Sequence, residues 1–461
     1  MMALMTERKK LFGTDGMRGA AGKFPLDAAT VQTAGRSLAR RLADKLGREP
    51  RLVTGRDTRE SGGWIEAAFA AGARESGAAV ESAGVITTPG VAYLARSLPA
   101  DAGVVISASH NPFDDNGIKI FAPTGRKFDE ETERLIEADI YADAGRAAAG
   151  VDESGAAGNE RRAAELKSLY LDYLAGDVAG GLRLDGVTVV LDCANGASYR
   201  LAPALFQRLG ARVVATSDAP DGRNINRGCG SLHPEALQRR VVEERANLGV
   251  AYDGDADRAL FVDARGRLVD GDATLWVLAK HMAERGELDG GRVVATVMSN
   301  IGLELALRSR GIELLRADVG DKYVLEMLEE RGACLGGEQS GHIIFPRVSL
   351  AGDGMITTLK LLAVMRETGR ELHQLVEGFE RFPQVLKNVR VREKLPFDQV
   401  EEIARAGREV EGALGGRGRL LLRYSGTEPL ARVMIEGQRQ DEIEELAARL
   451  VSVIERNLGA S

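Results

Sequence analysis

The sequence predicts an α/β protein: three related α/β domains with mixed sheets, followed by a smaller α+β C-terminal domain. Three observations carry that expectation. The chain has 461 residues, too many for one core at roughly 150 residues per domain. A strand, helix, glycine, strand pattern recurs three times along it, and from about Phe382 the pattern changes.

The first unit is Arg51-Leu-Val-Thr-Gly-Arg-Asp, a helical stretch near Trp64 to Ser76, Gly77, and the short run Ala78-Ala-Val-Glu. The second runs from Val187-Thr-Val-Val-Leu-Asp through a helical stretch near Leu201 to Leu209 and Gly210 to Ala211-Arg-Val-Val. In the third, Val293-Val-Ala-Thr-Val-Met precedes a helical stretch near Leu303 to Ser309, Gly311, and Ile312-Glu-Leu-Leu. Strands alternating with helices at this spacing predict βαβ units, and the glycine after each helix suits a left-handed C-terminal cap. Beyond Phe382 the β-type runs Val389-Arg-Val-Arg, Arg419-Leu-Leu-Leu-Arg and Ala431-Arg-Val-Met-Ile-Glu alternate with helical patterns over Asp398 to Leu414 and Asp441 to Leu458. That order predicts an antiparallel sheet with helices on it. The expected domains are 1–158, 159–260, 261–380 and 381–461, with the Gly- and Ala-rich stretch Ala144 to Gly158 as a surface connection before a helix over Glu160 to Ala175.

Composition bounds the function. Hydrophobic residues at 44% and charged residues at 28% describe a globular chain rather than a disordered or multispan one. Lys plus Arg number 61 against 68 for Asp plus Glu, so no basic field invites nucleic acid. Glycine is in excess: 55 of 461 residues, about 12% against a usual figure of about 7%. Cys193, Cys229 and Cys334 lie far apart with no Cys-x-x-Cys, which argues against a disulfide framework or zinc knuckle and fits a reducing cytoplasm. No apolar run approaches the roughly 20 residues of a membrane span, and Met1 to Lys10 lacks a signal-peptide core.

Four loops have the composition to do chemistry, and from their residues alone each also reads as a turn. Ser107-Ala-Ser109-His110-Asn111-Pro112 follows the buried run Gly103-Val-Val-Ile, at a strand's carboxyl end where open sheets place ligands. Ser109 could act there as a nucleophile, and Lys119, ten residues on, could act as acid or base if its pKa were lowered. Asp253-Gly-Asp255-Ala-Asp257-Arg258 is the sharpest signal. In extended backbone its alternation would put three carboxylates on one face, where they repel unless a cation neutralises them. All-oxygen ligation favours Mg²⁺ over Zn²⁺, and with it a phosphorylated ligand. Arg258 and Ala264 stand where an EF-hand needs Gly and Glu. Gly337-Glu338-Gln339-Ser340-Gly341-His342 alternates hydrogen-bonding side chains with glycines, a composition suited to sugar hydroxyls. Arg423-Tyr424-Ser425-Gly426-Thr427-Glu428-Pro429, with Arg432 beyond, has the hydroxyls and guanidiniums of an anion cradle. There is neither a P-loop nor a Gly-x-Ser-x-Gly elbow, and the Gly13, Gly16, Gly19 spacing is not a dinucleotide fingerprint.

The order of these loops, one per expected domain, resembles the α-D-phosphohexomutase superfamily from Phe12 to about Glu436. The residues that carry the resemblance are Phe12-Gly-Thr-Asp-Gly-Met-Arg-Gly, Ile106-Ser-Ala-Ser-His-Asn-Pro, Asn224-Ile-Asn-Arg-Gly-Cys-Gly-Ser-Leu-His-Pro-Glu and Gly337-Glu-Gln-Ser-Gly-His. The third of these points to the branch acting on amino-sugar phosphates. Leu232, Lys322 and Tyr424 depart from the pattern, where Thr, Arg, and Lys or Pro would be expected. The resemblance implies four domains around a central cleft and interconversion of glucosamine 6-phosphate and glucosamine 1-phosphate for UDP-N-acetylglucosamine synthesis. It implies that Ser109 carries the phosphoryl group and, with Asp253, Asp255 and Asp257, holds one Mg²⁺ per chain. Arg18, His110 and Arg258 would flank the phosphoryl group, and Lys119 would be the base. Glu338, Ser340 and His342 would meet the sugar; Arg423, Ser425, Gly426, Thr427 and Arg432 would grip the second phosphate. A sugar bisphosphate is the implied intermediate and activator, a phosphosugar the small-molecule partner, and a homodimer is compatible. Alternatives are a mutase of mannose or glucose phosphates, a Mg²⁺-dependent phosphatase using a loop aspartate, and a non-catalytic phosphosugar-binding protein.

Overall fold

Four sheets follow one another along the chain in the computed structural model, which describes residues 10–143, 160–425 and 428–460. The first contains β1 (Phe12–Gly13), β2 (Gly16–Ala20), β3 (Arg51–Arg56), β4 (Ala79–Val85), β5 (Ala102–Ile106) and β6 (Asp115–Phe121), in the order β1-β2-β6-β5-β3-β4. The second contains β7 (Thr188–Asp192), β8 (Arg212–Thr216), β9 (Leu248–Tyr252), β10 (Ala259–Asp263) and β11 (Leu268–Val269), ordered β11-β10-β9-β7-β8. The third contains β12 (Arg292–Thr296), β13 (Glu313–Ala317), β14 (Gly336–Gly337) and β15 (Ile343–Ile344), ordered β13-β12-β14-β15.

All three repeat one pairing scheme. A first strand lies parallel to the strand after its helix and to a third strand on its other side, and a fourth returns antiparallel to the third. The mixed sheets are therefore built alike, as the recurring sequence pattern predicts. The connection from third to fourth strand is the serine loop in the first sheet, the acidic loop in the second and the Glu338 loop in the third. Three chemically different loops thus occupy one topological position, at the carboxyl end of a buried parallel strand.

Local chemistry explains why the units start and stop where they do. The helices Gly62–Glu75, Leu201–Arg208 and Ile301–Ser309 each end two residues before a glycine with positive φ: Gly77 at 81°, Gly210 at 98° and Gly311 at 70°. In each, the glycine N–H and the next residue's N–H bond back to carbonyls of the last turn, at 2.9 and 3.1 Å in the first unit. That double bond is a Schellman cap, and it needs the left-handed residue that glycine supplies without strain.

The last sheet is antiparallel: β16 (Gln384–Arg390), β17 (Arg419–Tyr424) and β18 (Leu430–Glu436), ordered β16-β18-β17 under the helices Glu401–Leu414 and Gln440–Leu458. These elements share an apolar cluster of their own, including Val433, Ile435, Ile443 and Leu450. A second, larger cluster runs through all three α/β units, from Val53 and Val105 through Val189 and Phe261 to Val293 and Leu359. The expected division at residue 260 falls inside β10, which bonds to both β9 and β11, so the second sheet runs on to Val269. The expected connection over Ala144 to Gly158 lies outside the described residues.

Gly77→Ala and Gly311→Ala each test the cap. A Cβ at either position would meet nothing within 4 Å, so the cost is conformational, about 1 kcal/mol. A lower midpoint in urea unfolding is expected for both; unchanged midpoints would remove the capping role.

Candidate active site

The acidic loop converges by turning. Asp253 to Arg258 is not the extended segment that alternation suggested: it is a tight double turn, with Ala256 at φ 57°. One oxygen from each of Asp253, Asp255 and Asp257 lies within 4.8 Å of the others, and all three residues are buried. Asp255 Oδ2 accepts from Thr88 Oγ1 at 2.6 Å and from Lys119 Nζ at 2.9 Å. Asp255 Oδ1 and Asp257 Oδ1 are buried without a hydrogen-bond partner. Two orphaned carboxylate oxygens in a cluster of three fit a hard divalent cation, which takes oxygen ligands. Burial and the charges of Asp257 and Asp255 push Asp253 well above the usual carboxylate range. For Asp257, Lys119, His342 and Arg258 outweigh burial and hold it below that range.

Ser109 stands beside this cluster. Its backbone is left-handed, φ 53°, and its side chain is buried. The Oγ donates to Asp253 Oδ2 at 2.5 Å and lies 3.3 Å from His110 Nδ1. The strained turn is held from outside. Arg59, paired with Asp57 at 2.8 Å where both side chains are inaccessible, donates to the carbonyls of Ser109, Asn111 and Asp115. Asn226 Nδ2 donates to the carbonyls of Ser109 and Asn111 at 2.9 and 3.1 Å. A Cβ at Gly254 would sit 2.4 Å from the Ser109 carbonyl oxygen, so the serine and acidic loops can touch only through a glycine.

Lys119 enters from β6 and is 1% exposed. Its Nζ lies 3.0 Å from Asp15 Oδ2, 2.9 Å from Asp255 Oδ2 and 3.6 Å from Asp257 Oδ2. Burial lowers its pKa, but those three carboxylates outweigh burial and raise it well above the lysine range. The sequence reading required a lowered value; three facing carboxylates give the opposite. Arg18 pairs with Asp15 through Nη2, and Arg258 Nε lies 3.8 Å from Asp257 Oδ1. The Nε atoms of both arginines are buried without a hydrogen-bond partner. Burial, then Arg258 and Arg18, lower His110 to about 4, so its imidazole is neutral at pH 7.

Arg18, His110, Asp257, Arg258, Glu338 and His342 line one cavity of about 450 Å³, with Asp15, Gly320 and Asp321. Glu338 Oε1 accepts from the Gly320 N–H at 3.2 Å, and Ser340 Oγ lies 3.5 Å from Glu338 Oε2. His342 is buried, with Nδ1 3.7 Å from Asp257 Oδ2, which sets it against the acidic loop rather than only beside a sugar. Burial lowers its pKa, but Asp257, Asp321 and Glu338 raise it to about 9. The described residues of the C-terminal loop are not part of this lining. Arg432 Nη2 reaches Ser425 Oγ at 3.4 Å, its Nε is unpartnered, and burial with the nearby Arg432 charge lowers the pKa of Arg423. Gly426 and Thr427 lie outside the described residues. The sequence reading assigned no role to Asp57, Arg59, Thr88 or Asn226. The signal available for the first two is Arg56-Asp-Thr-Arg at the carboxyl end of a buried strand.

Three like-built α/β units meeting around a buried serine and an acidic triad, with a separately cored α+β module joined to the third, have the architecture of a phosphohexose mutase. Sequence profiles described as phosphoglucomutase/phosphomannomutase alpha/beta/alpha domains I, II and III match residues 9–146, 168–266 and 270–382, and the C-terminal domain profile matches 386–453. The chain belongs to the phosphoglucomutase/phosphomannomutase family and is an isomerase. It is 50% identical to a phosphoglucosamine mutase of Solibacter usitatus, over 98% of this chain and 99% of that one. It is 49% identical to that of Pelotomaculum thermopropionicum, over 96% and 98%. Among solved structures, a phosphoglucomutase/phosphomannomutase family protein from Burkholderia thailandensis superimposes with a TM-score of 0.76 at 24% identity, over 98% of this chain and 99% of that one. The N-acetylphosphoglucosamine mutase of Aspergillus fumigatus, solved with GlcNAc-6P and magnesium, gives 0.61 at 16% identity, over 97% and 95%. These two likenesses establish the fold.

The two site histidines titrate on opposite sides of neutrality. In chelator-treated protein, NMR titration is expected to show His342 protonated up to about pH 9 and His110 neutral down to about pH 4. Against an unfolded value of about 6.5, His342 stabilises the fold fully below pH 6.5 and loses that contribution as pH rises through 9. His110 destabilises it as pH falls from 6.5 towards 4. Both imidazoles titrating near 6.5 would contradict the charge assignment.

Proposed function

We propose that this chain is a phosphoglucosamine mutase, interconverting glucosamine 6-phosphate and glucosamine 1-phosphate through a phosphorylated Ser109 and a sugar bisphosphate. The observation that carries the reading is Ser109 Oγ, 2.5 Å from Asp253 Oδ2, in a buried triad with two unpaired oxygens. The phosphoglucosamine mutases aligned above support the amino-sugar assignment.

Asp253, Asp255 and Asp257, with the phosphate of Ser109, would hold one Mg²⁺. Bound there, Mg²⁺ would neutralise the carboxylates that otherwise keep Lys119 protonated and would screen the charge spread over the transferring phosphoryl group. The chain's residues do the rest. The Ser109 Oγ–P bond breaks as a sugar hydroxyl oxygen bonds to phosphorus, and Lys119 takes the hydroxyl proton. Arg18 and Arg258 hold the phosphoryl oxygens, and neutral His110 offers a hydrogen bond without added charge. Glu338 and Ser340 hold sugar hydroxyls with His342 alongside. Arg423, Ser425, Gly426, Thr427 and Arg432 grip the phosphate that is not reacting. The bisphosphate then turns end for end, and its other phosphate returns to Ser109 by the reverse steps. That turn requires the C-terminal module, with its separate apolar cluster, to move as a lid.

Ser109→Ala is expected to abolish turnover in a coupled assay for glucosamine 1-phosphate and to remove one phosphate from the intact mass; a fully active alanine variant overturns the reading. Substrate class is tested by kcat/KM on glucosamine, mannose and glucose phosphates side by side, with glucosamine expected to lead. Asp255→Asn is expected to weaken Mg²⁺ binding in calorimetry by tenfold or more, on the order of the loss of one charged ligand; equal binding would place the ion elsewhere.

A further inference from the structure

We propose that Lys127 and Asp321 are positioning residues that strap the first α/β unit to the third and thereby hold Asp15 against Lys119 and Arg18. The inference rests on the mutase reading and adds to it two residues that neither carry nor receive the phosphoryl group.

Asp15 sits in the turn between β1 and β2 and uses its two oxygens differently. Its Oδ2 faces Lys119 Nζ at 3.0 Å and Arg18 Nη2. Its Oδ1 accepts from Lys127 Nζ at 2.6 Å. Lys127 also reaches the Thr14 carbonyl at 3.3 Å and Asp321 Oδ2 at 2.7 Å. Asp321 opens the helix Asp321–Arg331 of the third unit. His342 Nε2 lies 3.9 Å from Asp321 Oδ2, and its other nitrogen faces Asp257. The contacts close a circuit of Asp257, His342, Asp321, Lys127, Asp15 and Lys119 that joins all three α/β units.

Two further pairs cross the same seam, Lys322 with Glu130 and Arg126 with Glu329. Glu130 is 57% exposed and Arg126 44%, whereas the Lys127, Asp15 and Asp321 side chains are 20–24% exposed. Exposed pairs contribute little, so the inner strap carries the alignment. A cavity of about 560 Å³ is lined by Asp15, Lys119, Lys127 and Asp321. Without Lys127, the Asp15 carboxylate has room to turn into it and draw Lys119 from the reacting hydroxyl. Displacements near 1 Å cost catalysis as much as about 100-fold.

The test uses full-length protein with bisphosphate activator. Lys127→Met and Asp321→Asn are expected to lower kcat about 10- to 100-fold while KM stays within about twofold and Ser109 still carries phosphate, and Lys127→Arg is expected to restore most of kcat. Wild-type kcat in both neutral variants overturns the proposal, as does a loss confined to KM or to the fraction of folded protein, or failure of Lys127→Arg to restore kcat. If the wild-type chain shows no mutase turnover, or Ser109→Ala retains it, the underlying reading fails instead.

Discussion

Three carboxylates buried within 4.8 Å of one another impose the main constraint on this molecule. At an effective dielectric near 20, two unit charges at that distance repel by roughly 3.5 kcal/mol. Three such pairs approach the net stability of a whole domain, about 5–15 kcal/mol. The opposing charges come largely from beyond the loop: Lys119 from the first sheet and His342 from the third join Arg258. The acidic loop is thus stable only where three units meet, and the arrangement of those units is a consequence of the chemistry as much as of the apolar cluster they share.

The threefold scheme supplies that meeting point economically. Each unit ends its third parallel strand in a loop and returns antiparallel, so each presents one loop at the same end of its sheet. The loops differ in length and in the residues they carry: a serine, three aspartates, and a glutamate with a histidine. Close approach then depends on missing side chains. Gly341, at φ 91°, would place a Cβ 2.3 Å from the Ala259 carbonyl oxygen, and Gly254 meets the Ser109 carbonyl in the same way. Part of the glycine excess is therefore spent where loops from different sheets touch.

Much of the fold was legible because its signals are local. A helix followed by glycine and a β-type run predicts a cap whose hydrogen bonds span only six residues, and Gly77, Gly210 and Gly311 all form it. The four loops were legible by composition, and the acidic one for a partly mistaken reason, since turns rather than strand alternation bring its carboxylates together. The supports of the site were not legible. Arg59 holds the Ser109 loop across 50 residues and Asn226 across 117, and an arginine in a polar segment looks the same in sequence whether it is solvated or, like Arg59, wholly inaccessible. The charge state of Lys119 was not legible on the same ground: its pKa depends on burial and on Asp15, Asp255 and Asp257, which local pattern does not connect to it.

The C-terminal module follows a different logic. It meets the third unit through a compact polar joint, in which Glu436 accepts from Asn300 Nδ2, the Ile301 N–H and Arg419 Nε at 3.3, 3.1 and 2.9 Å. Its apolar cluster is its own. A joint of directed hydrogen bonds beside a self-contained core permits rotation at little cost in buried apolar surface, whereas the α/β units could not separate without opening a common cluster. In the proposed mechanism the charge-bearing centre lies on the units that share a cluster, and the grip for the distal phosphate on the module that does not. Arg423 and Arg432, close enough for one to depress the proton affinity of the other, gain an opposing charge when an anion enters. On the mutase mechanism proposed above, closure is favoured by the substrate's second phosphate, the group that would be released and caught again as the bisphosphate turns.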